Sequence, residues 1–149
     1  MSSDTHRTPV PGDPQVTALR SHPHCVVCGD NDALGLGLAF TATDDGAVEC
    51  HFECSAALQG YTDQLHGGVI ALLLDGAMTN CLFAHELSGV TAELTVRFHH
   101  PVRTGTAVSV RAWIDHSIAR LHYLQAEVTQ DGQSKVTASG KFIERGPAP

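Results

Sequence analysis

The sequence predicts an α+β domain in which an antiparallel sheet of about six strands wraps around one long central helix. Three observations support this prediction. Residues 65–85 form the only long apolar run and leave almost no polar face. The segments on either side alternate apolar and polar residues, which is typical of strands. Turn signals containing glycine separate several of these segments, so neighbouring strands are expected to pair as hairpins.

The length and composition fit one globular domain with a substantial core. The chain has 149 residues, of which 42% are hydrophobic and 17% are charged. Residues 1–23 are rich in Ser, Thr, Pro and His, and they are expected to form a disordered N-terminal tail. Residues 145–149 are expected to form a short C-terminal tail. The domain is therefore predicted over residues 24–144.

The charge, the apolar run and the cysteine count argue against some partners and favour a reducing environment. A net charge of −7 argues against a nucleic acid partner. Asp75, Thr79 and Asn80 interrupt the apolar run, which argues against a membrane span. The five cysteines, an odd number, favour reduced thiols over a disulfide framework. No targeting signal is recognised, and residence in the cytoplasm is expected.

Two strands are expected before the helix. Alternating apolar residues predict the first strand: Leu34, Leu36, Leu38 and Phe40. Residues 44–46 (Asp-Asp-Gly) predict a turn. Alternating apolar residues also predict the second strand: Val48, Cys50 and Phe52. These two strands are expected to form a hairpin.

The central helix carries one carboxylate, Asp75, in its middle. A buried ionisable group is costly unless it is paired, hydrogen-bonded or functional, so Asp75 is the first candidate functional residue. Gly67 and Gly68 lie where a loop becomes this helix. The first N–H groups of a helix have no intrahelical partner, and the helix dipole is positive there. Such an entrance can bind a carbonyl oxygen and stabilise an oxyanion.

Four strands in a meander are expected after the helix. The third strand is predicted to turn these apolar residues inward: Val90, Ala92, Leu94, Val96 and Phe98. Thr91 lies on the opposite, outward face of that strand. The remaining strands are predicted from these alternating sets: Val108, Val110, Ala112 and Ile114; Leu124, Ala126 and Val128; Val136, Ala138, Gly140 and Phe142. Residues 131–132 (Asp-Gly) are typical of a hairpin turn.

Three segments resemble hotdog-fold thioesterases of the phenylacetate-pathway and 4-hydroxybenzoyl-CoA type. They are residues 65–78 (LHGGVIALLLDGAM), 90–102 (VTAELTVRFHHPV) and 25–40 (CVVCGDNDALGLGLAF). The most specific feature is His-Gly-Gly with an acid eight residues after the first Gly. The resemblance implies a hotdog fold and hydrolysis of a small or medium, aryl or aliphatic, acyl-CoA without a cofactor. It also implies a homodimer or a dimer of dimers with the active site at the subunit interface.

The resemblance further implies roles for individual residues. Asp75 would be the nucleophile or the base that activates water. It would act on a thioester whose carbonyl is bound by the Gly67 N–H of the other subunit. Thr91 falls where some relatives carry a hydroxyl that positions the attacking water, although an exposed Thr fits its outward phase equally well. The substrate-binding candidates are His66, Gly68, Gln59 and Gln64, with His66 expected to cap or orient the turn.

Two positions depart from the family pattern. Relatives with a second carbonyl contact carry an Asn six residues before the His, and this chain has Gly60 there. Gln59 or Gln64 could supply the amide instead. Gly76 stands where many relatives have Glu, and a glycine in mid-helix costs about 1 kcal/mol relative to alanine. It is expected to make room for a ligand or for the other helix of a dimer.

Two other functions stay open. A non-catalytic acyl-thioester-binding protein with the same fold would fit the two departures. A hotdog hydratase or dehydratase fits less well, because the chain lacks the His-Phe-Pro…Pro-Gly context of those enzymes. His99 and His100 are instead expected at a strand face and a strand end.

A cysteine-containing segment precedes the first strand. His22, His24, Cys25 and Cys28 have the spacing H-x-H-C-x-x-C, which would suit half or all of a zinc site. No second Cys/His pair follows at zinc-finger spacing. We therefore expect Cys25 and Cys28 to form a buried turn without a metal; a metal site and a redox pair are the alternatives.

Overall fold

The computed structural model describes residues 12–30 and 35–146. Within them the chain forms two α-helices, a short 3-10 turn and six strands. In chain order these are α1 (Pro14–Ser21), β1 (Thr41–Ala42), β2 (Val48–Glu53), the 3-10 turn (Ala56–Leu58), α2 (Gly67–Ala84), β3 (Gly89–Phe98), β4 (Ala107–Ile118), β5 (Leu121–Gln130) and β6 (Gln133–Glu144).

The six strands form one antiparallel sheet in the order β1-β2-β4-β5-β6-β3. Strands β4, β5 and β6 follow one another as a meander. Strand β3 comes directly after the central helix α2 but lies at the far edge of the sheet, beside β6, so the expected meander of four strands is wrong for β3. The predicted architecture, about six antiparallel strands around one long helix, is confirmed.

Helix α2 lies across the inner face of the sheet and forms the centre of the core. Its most buried side chains include Leu73, Leu74 and Met78, each 0% exposed. They pack in one cluster with side chains from β4, β5 and β6. By length and mean hydropathy (1.5 over 18 residues) α2 could cross a membrane, but most of its residues are buried inside this protein.

The first strand is shorter than predicted. Strand β1 has two residues, and Leu34 lies outside the described residues. The backbone N–H groups of Leu36 and Leu38 donate to the carbonyl oxygens of Val26 and Val27, at 2.8 and 2.9 Å. The alternation therefore predicted the buried side correctly, but this segment pairs with the cysteine-containing turn instead of joining the sheet.

The prediction of a disordered tail over residues 1–23 is wrong from Pro14 onward, because helix α1 forms there. The Asp13 side chain caps α1 by accepting from the Gln15 N–H at 2.9 Å, and Pro14 occupies the first turn. Helix α1 packs on α2, where Ala18 is buried and Thr17 Oγ1 donates to the Phe83 carbonyl oxygen at 3.4 Å. Residues 1–11 lie outside the described part of the chain.

Gly76 makes room for a side chain of the same subunit. A Cβ added at Gly76 would lie 2.5 Å from Cγ1 of Val27. Val27 is 4% exposed and belongs to the turn that contains Cys25 and Cys28. Both expectations for Gly76, room for a ligand and room for a second helix, are therefore corrected: the turn packs directly on α2 at this glycine.

We expect Gly76→Ala to lower the free energy of unfolding by up to about 2 kcal/mol. Overpacking against Val27 costs about 1–3 kcal/mol, and the gain of about 1 kcal/mol in helix propensity offsets part of that cost. Urea denaturation measures the change. Val27→Ala in the same chain should relieve the clash, so the double variant should be more stable than the two single effects predict. Strictly additive effects would contradict this packing.

Candidate active site

Helix α2 begins at Gly67 and is capped by His66. The His66 Nδ1 accepts a hydrogen bond from the Gly68 N–H at 2.8 Å, so a neutral ring carries its proton on Nε2. This is the capping role expected for His66. The Gly68 N–H is thereby occupied, whereas the Gly67 N–H has no hydrogen-bond acceptor in the described part of the chain. Of the two glycines, Gly67 is the one with an available donor.

Gly60 lies against the imidazole ring of His66. A Cβ added at Gly60 would be 3.3 Å from His66 Cδ2, and the Gly60 N–H donates to the Gln64 carbonyl oxygen at 2.9 Å. The neighbouring Gln59 uses its side-chain oxygen to accept from the Asp63 N–H at 3.2 Å. The loop before α2 is thus organised around the capping histidine, and glycine at position 60 leaves space for its ring.

A cavity of about 770 Å³ opens in front of this helix entrance. Four of the predicted site residues line it: Gln59, Gln64, His66 and Gly67. Its volume is in the range of small-molecule sites. Gly68, Asp75 and Thr91 are not among the residues that line it.

The end of β3 supplies cavity residues that the sequence did not reveal. Phe98 is 55% exposed and lies beside the entrance, since a Cβ added at Gly67 would be 3.6 Å from its ring. His99 and His100 also line the cavity, and His99 Nε2 pairs with Thr137 Oγ1 at 2.8 Å. The signal available in the sequence was an aromatic residue directly before His-His-Pro at the end of a strand.

Asp75 and Thr91 form a second cluster, away from the cavity. The Thr91 Oγ1 donates a hydrogen bond to Asp75 Oδ1 at 2.6 Å. Asp75 is half-buried on α2, and Thr91 is exposed on the edge strand β3. The structure therefore brings together two of the three residues predicted to be catalytic.

The predicted outward phase of Thr91 is wrong because a β-bulge reverses the alternation. The register between β3 and β6 shifts between Thr91 and Glu93. Thr91 pairs with Phe142, whose side chain is fully buried, and so it faces α2. Val90 was predicted to face inward but is 52% exposed, opposite the exposed Ile143. A regular alternation of residue types gave no sign of this bulge.

One chain keeps the two clusters apart. Asp75 follows Gly67 by eight residues, which corresponds to about 12 Å along a helix axis. The carboxylate lies next to the start of β3, whereas the helix entrance lies next to its end at Phe98. Within one chain the carboxylate and the helix entrance therefore lie at separate places along α2 and β3.

Comparisons with known sequences find thioesterases. A family model described as the thioesterase superfamily matches residues 64–137. The acyl-coenzyme A thioesterase THEM4 of Bos taurus is 29% identical over 122 residues, which are 80% of this chain and 50% of the relative. The chain thus spans about half the length of this relative.

Solved structures share the fold. A thioesterase superfamily protein has a TM-score of 0.76 and 28% identity, covering 81% of this chain and 63% of that one. The PaaI protein of E. coli, from the phenylacetic acid degradation operon, has a TM-score of 0.68 and 21% identity over 72% of this chain and 83% of its own. A Streptococcus mutans protein bound to acetyl-CoA has a TM-score of 0.68 and 18% identity over 73% and 89%.

The residues matched by the family model include both clusters of the candidate site. They begin at Gln64, include Asp75 and Thr91, and end at residue 137 within β6. The sheet wrapped around α2 is shared with the solved neighbours. The chain therefore has the hotdog fold, and its residues 64–137 match the thioesterase superfamily, the family that its sequence resembles.

Proposed function

We propose that the protein is an acyl-CoA thioesterase that hydrolyses the thioester of a small or medium acyl-CoA. The observation that carries the proposal is that Asp75 and the Gly67 N–H lie beside opposite ends of one edge strand, β3. The acyl-coenzyme A thioesterase name of the bovine relative and the acetyl-CoA bound to the streptococcal neighbour support this class of substrate.

The edge strand supplies the means of joining the two clusters. Strand β3 has ten residues and pairs with β6 on one side, so its outer N–H and C=O groups can pair with another strand. In an antiparallel pair of β3 strands related by a two-fold axis, the start of each strand faces the end of the other. The Asp75–Thr91 pair of one subunit would then lie near the Gly67 entrance of its partner. The protein is therefore proposed to act as a homodimer, or as a dimer of dimers, with two composite sites per dimer.

Each site would divide the reaction between two subunits. The Gly67 N–H would donate to the thioester carbonyl oxygen, and the positive end of the α2 dipole would favour the negative charge that develops there. Thr91 holds Asp75 Oδ1 and leaves the second carboxylate oxygen to react.

The carboxylate has two possible roles, and both end in the same products. As a base, it would take a proton from a water that adds to the carbonyl carbon. As a nucleophile, it would add to that carbon itself and form an anhydride, which water then hydrolyses. In either case the bond from carbon to sulfur breaks, CoA leaves as the thiol after taking up a proton, and the acyl group leaves as a carboxylic acid.

The cavity at the entrance suits an elongated ligand with apolar and polar parts. Ile70, Phe98 and Val102 line it together with His66 and His100. An acyl group would contact the apolar side chains, and the amides of the pantetheine arm would have polar partners. A cytoplasmic setting, which keeps thiols reduced, is part of this proposal.

We expect Asp75→Asn to lower kcat by about 10²–10⁴-fold, the usual contribution of a general base. Release of CoA from a panel of aryl- and alkanoyl-CoAs, followed with Ellman's reagent, measures it. Thr91→Ala should lower kcat less, and Thr91→Ser should restore the hydroxyl and the activity. Thr95→Ala, at another exposed threonine of β3, is the matched control. Full activity of Asp75→Asn would exclude the mechanism, and a wild-type protein silent on the whole panel would favour an acyl-thioester binder.

Gly67→Pro tests the oxyanion donor by deleting a single N–H. Proline is favoured at the first position of a helix, and His66 already has a backbone ψ of 134°, which suits a residue before proline. We expect a loss of about 10²–10³-fold in kcat. Gly67→Ala keeps the N–H and should stay active, because its Cβ would lie 3.6 Å from Phe98, an ordinary contact. Equal loss in both variants would point to a steric effect.

Mixing the two inactive variants tests the composite site. In a heterodimer of Asp75→Asn with Gly67→Pro, one site carries both substitutions and the other carries neither. We expect co-expressed, co-purified heterodimers to recover about half the wild-type activity per dimer, since one of two symmetric sites is intact. No recovery in a heterodimer confirmed by mass spectrometry would mean that each site lies within one chain.

A further inference from the structure

Three metal-ligand side chains meet outside the candidate active site. A ring nitrogen of His22 and the sulfur atoms of Cys25 and Cys28 all lie within 4.8 Å of one another. In a tetrahedral zinc site with ordinary bond lengths, such ligand atoms are about 3.5–3.8 Å apart. Small side-chain rotations would therefore close these three groups around one ion. All three residues are half-buried, so an ion could enter from solvent.

We propose that His22, Cys25 and Cys28 bind one thiophilic divalent metal ion, Zn²⁺, with a solvent molecule in the fourth position. This site goes beyond the proposed hydrolysis and does not depend on it. It also revises our expectation from the sequence, which was a turn without a metal. The spacing alone could not decide between a metal site and a turn without a metal, because the sequence does not reveal how closely His22 approaches the two thiols.

The backbone of the turn orients the first thiol toward a shared point. The Cys25 N–H donates to the His22 carbonyl oxygen at 3.2 Å, and the Cys25 carbonyl oxygen accepts from the Gly29 N–H at 2.9 Å. The Val27 N–H donates to Cys25 Sγ at 3.4 Å. Such an N–H contact fixes the orientation of the sulfur atom, as outer contacts do for ligands in metal sites.

Gly29 is needed for this compact turn. A Cβ at this position would overlap the backbone N of Cys25 and lie 2.6 Å from the carbonyl oxygen of His22. Both neighbours are backbone atoms and cannot rotate away. The glycine thus permits the close approach of the segment that carries His22 to the segment that carries the two cysteines.

Neighbouring side chains support the ligands from α2. The His22 ring packs edge-on against Phe83, with ring centroids 5.1 Å apart. The Asn80 side chain makes a hydrogen bond with the Cys28 thiol. Asn80 is itself 2% exposed and fixed by donating to the Gly76 carbonyl oxygen at 2.9 Å. Such outer contacts orient ligands in metal sites.

The ion would fasten the N-terminal segment to the central helix. His22 directly follows α1, and Val27 lies between the two cysteines, packed on α2 at Gly76. Gly76 is the residue after Asp75, so the turn forms part of the packing behind the candidate catalytic carboxylate. A metal that holds the turn closed is therefore expected to stabilise the fold around that carboxylate.

The test uses the full chain, purified under reducing conditions without chelators. We expect about one zinc ion per chain by elemental analysis, as for a single site. Replacement by Co²⁺ should give a thiolate-to-cobalt charge-transfer band in the near ultraviolet. Cys25→Ser and Cys28→Ser should abolish the band, and His22→Asn should weaken metal binding. Cys54→Ser, at a buried cysteine outside the cluster, is the matched control and should keep the band.

Thermal unfolding of the wild-type protein keeps the test informative if the serine variants fold poorly. Zn²⁺ should raise the Tm, and a chelator should reverse the increase; both effects should be absent in Cys25→Ser. Binding should weaken at acidic pH, because protons compete for the thiolates and the imidazole. Absence of the cobalt band in the reduced wild type, or its persistence in the Cys25→Ser/Cys28→Ser double variant, would overturn the proposal. A Cys25–Cys28 disulfide in the purified chain that persists under reductant and prevents cobalt binding would overturn it in favour of a redox pair.

Discussion

Helix α2 has almost no polar face, and the rest of the structure depends on covering it. An apolar helix of 18 residues cannot face water over most of its surface. The sheet covers its inner side, and α1 and the cysteine-containing turn cover other parts. Two of the places that remain accessible carry polar groups of interest. One is the N-terminal entrance at Gly67, and the other is the half-buried Asp75 beside the edge strand β3. The candidate functional groups lie at these two places.

The position of β3 places an edge of the sheet next to the candidate functional groups. This strand follows α2 in the chain but pairs at the far edge of the sheet, so it runs beside the helix with one side open. Its two ends carry different chemistry, because Thr91 holds the carboxylate and Phe98 flanks the entrance. A second copy paired along β3 would cover the open edge and combine the two ends in the same arrangement. Pairing of two copies along β3 would then both protect the exposed edge and assemble the site.

Much of this arrangement could be predicted from the sequence because burial leaves a periodic trace. The run of residues 65–85 predicted α2, and alternation predicted β2, β4, β5 and β6 with their buried faces. Periodicity reports which side is buried but not what the backbone pairs with, so Leu36 and Leu38 were assigned to a strand. Periodicity also cannot reveal a bulge, so it places Thr91 on the wrong face of β3. The cavity joins a loop before α2 to the end of β3, and Phe98 was missed because that contact is distant in sequence.

The two departures from the family pattern have local explanations within this chain. At Gly60 the missing side chain leaves space for the capping ring of His66, and at Gly76 it leaves space for Val27. Neither glycine removes a group from the Asp75–Thr91 pair or from the Gly67 N–H, so neither argues against hydrolysis. The second glycine has a further effect, because it lets the cysteine-containing turn pack on α2 one residue after Asp75. The segment of α2 next to the carboxylate is therefore packed against a turn whose own closure the proposed metal would secure, and this links the N-terminal segment to the reactive part of α2.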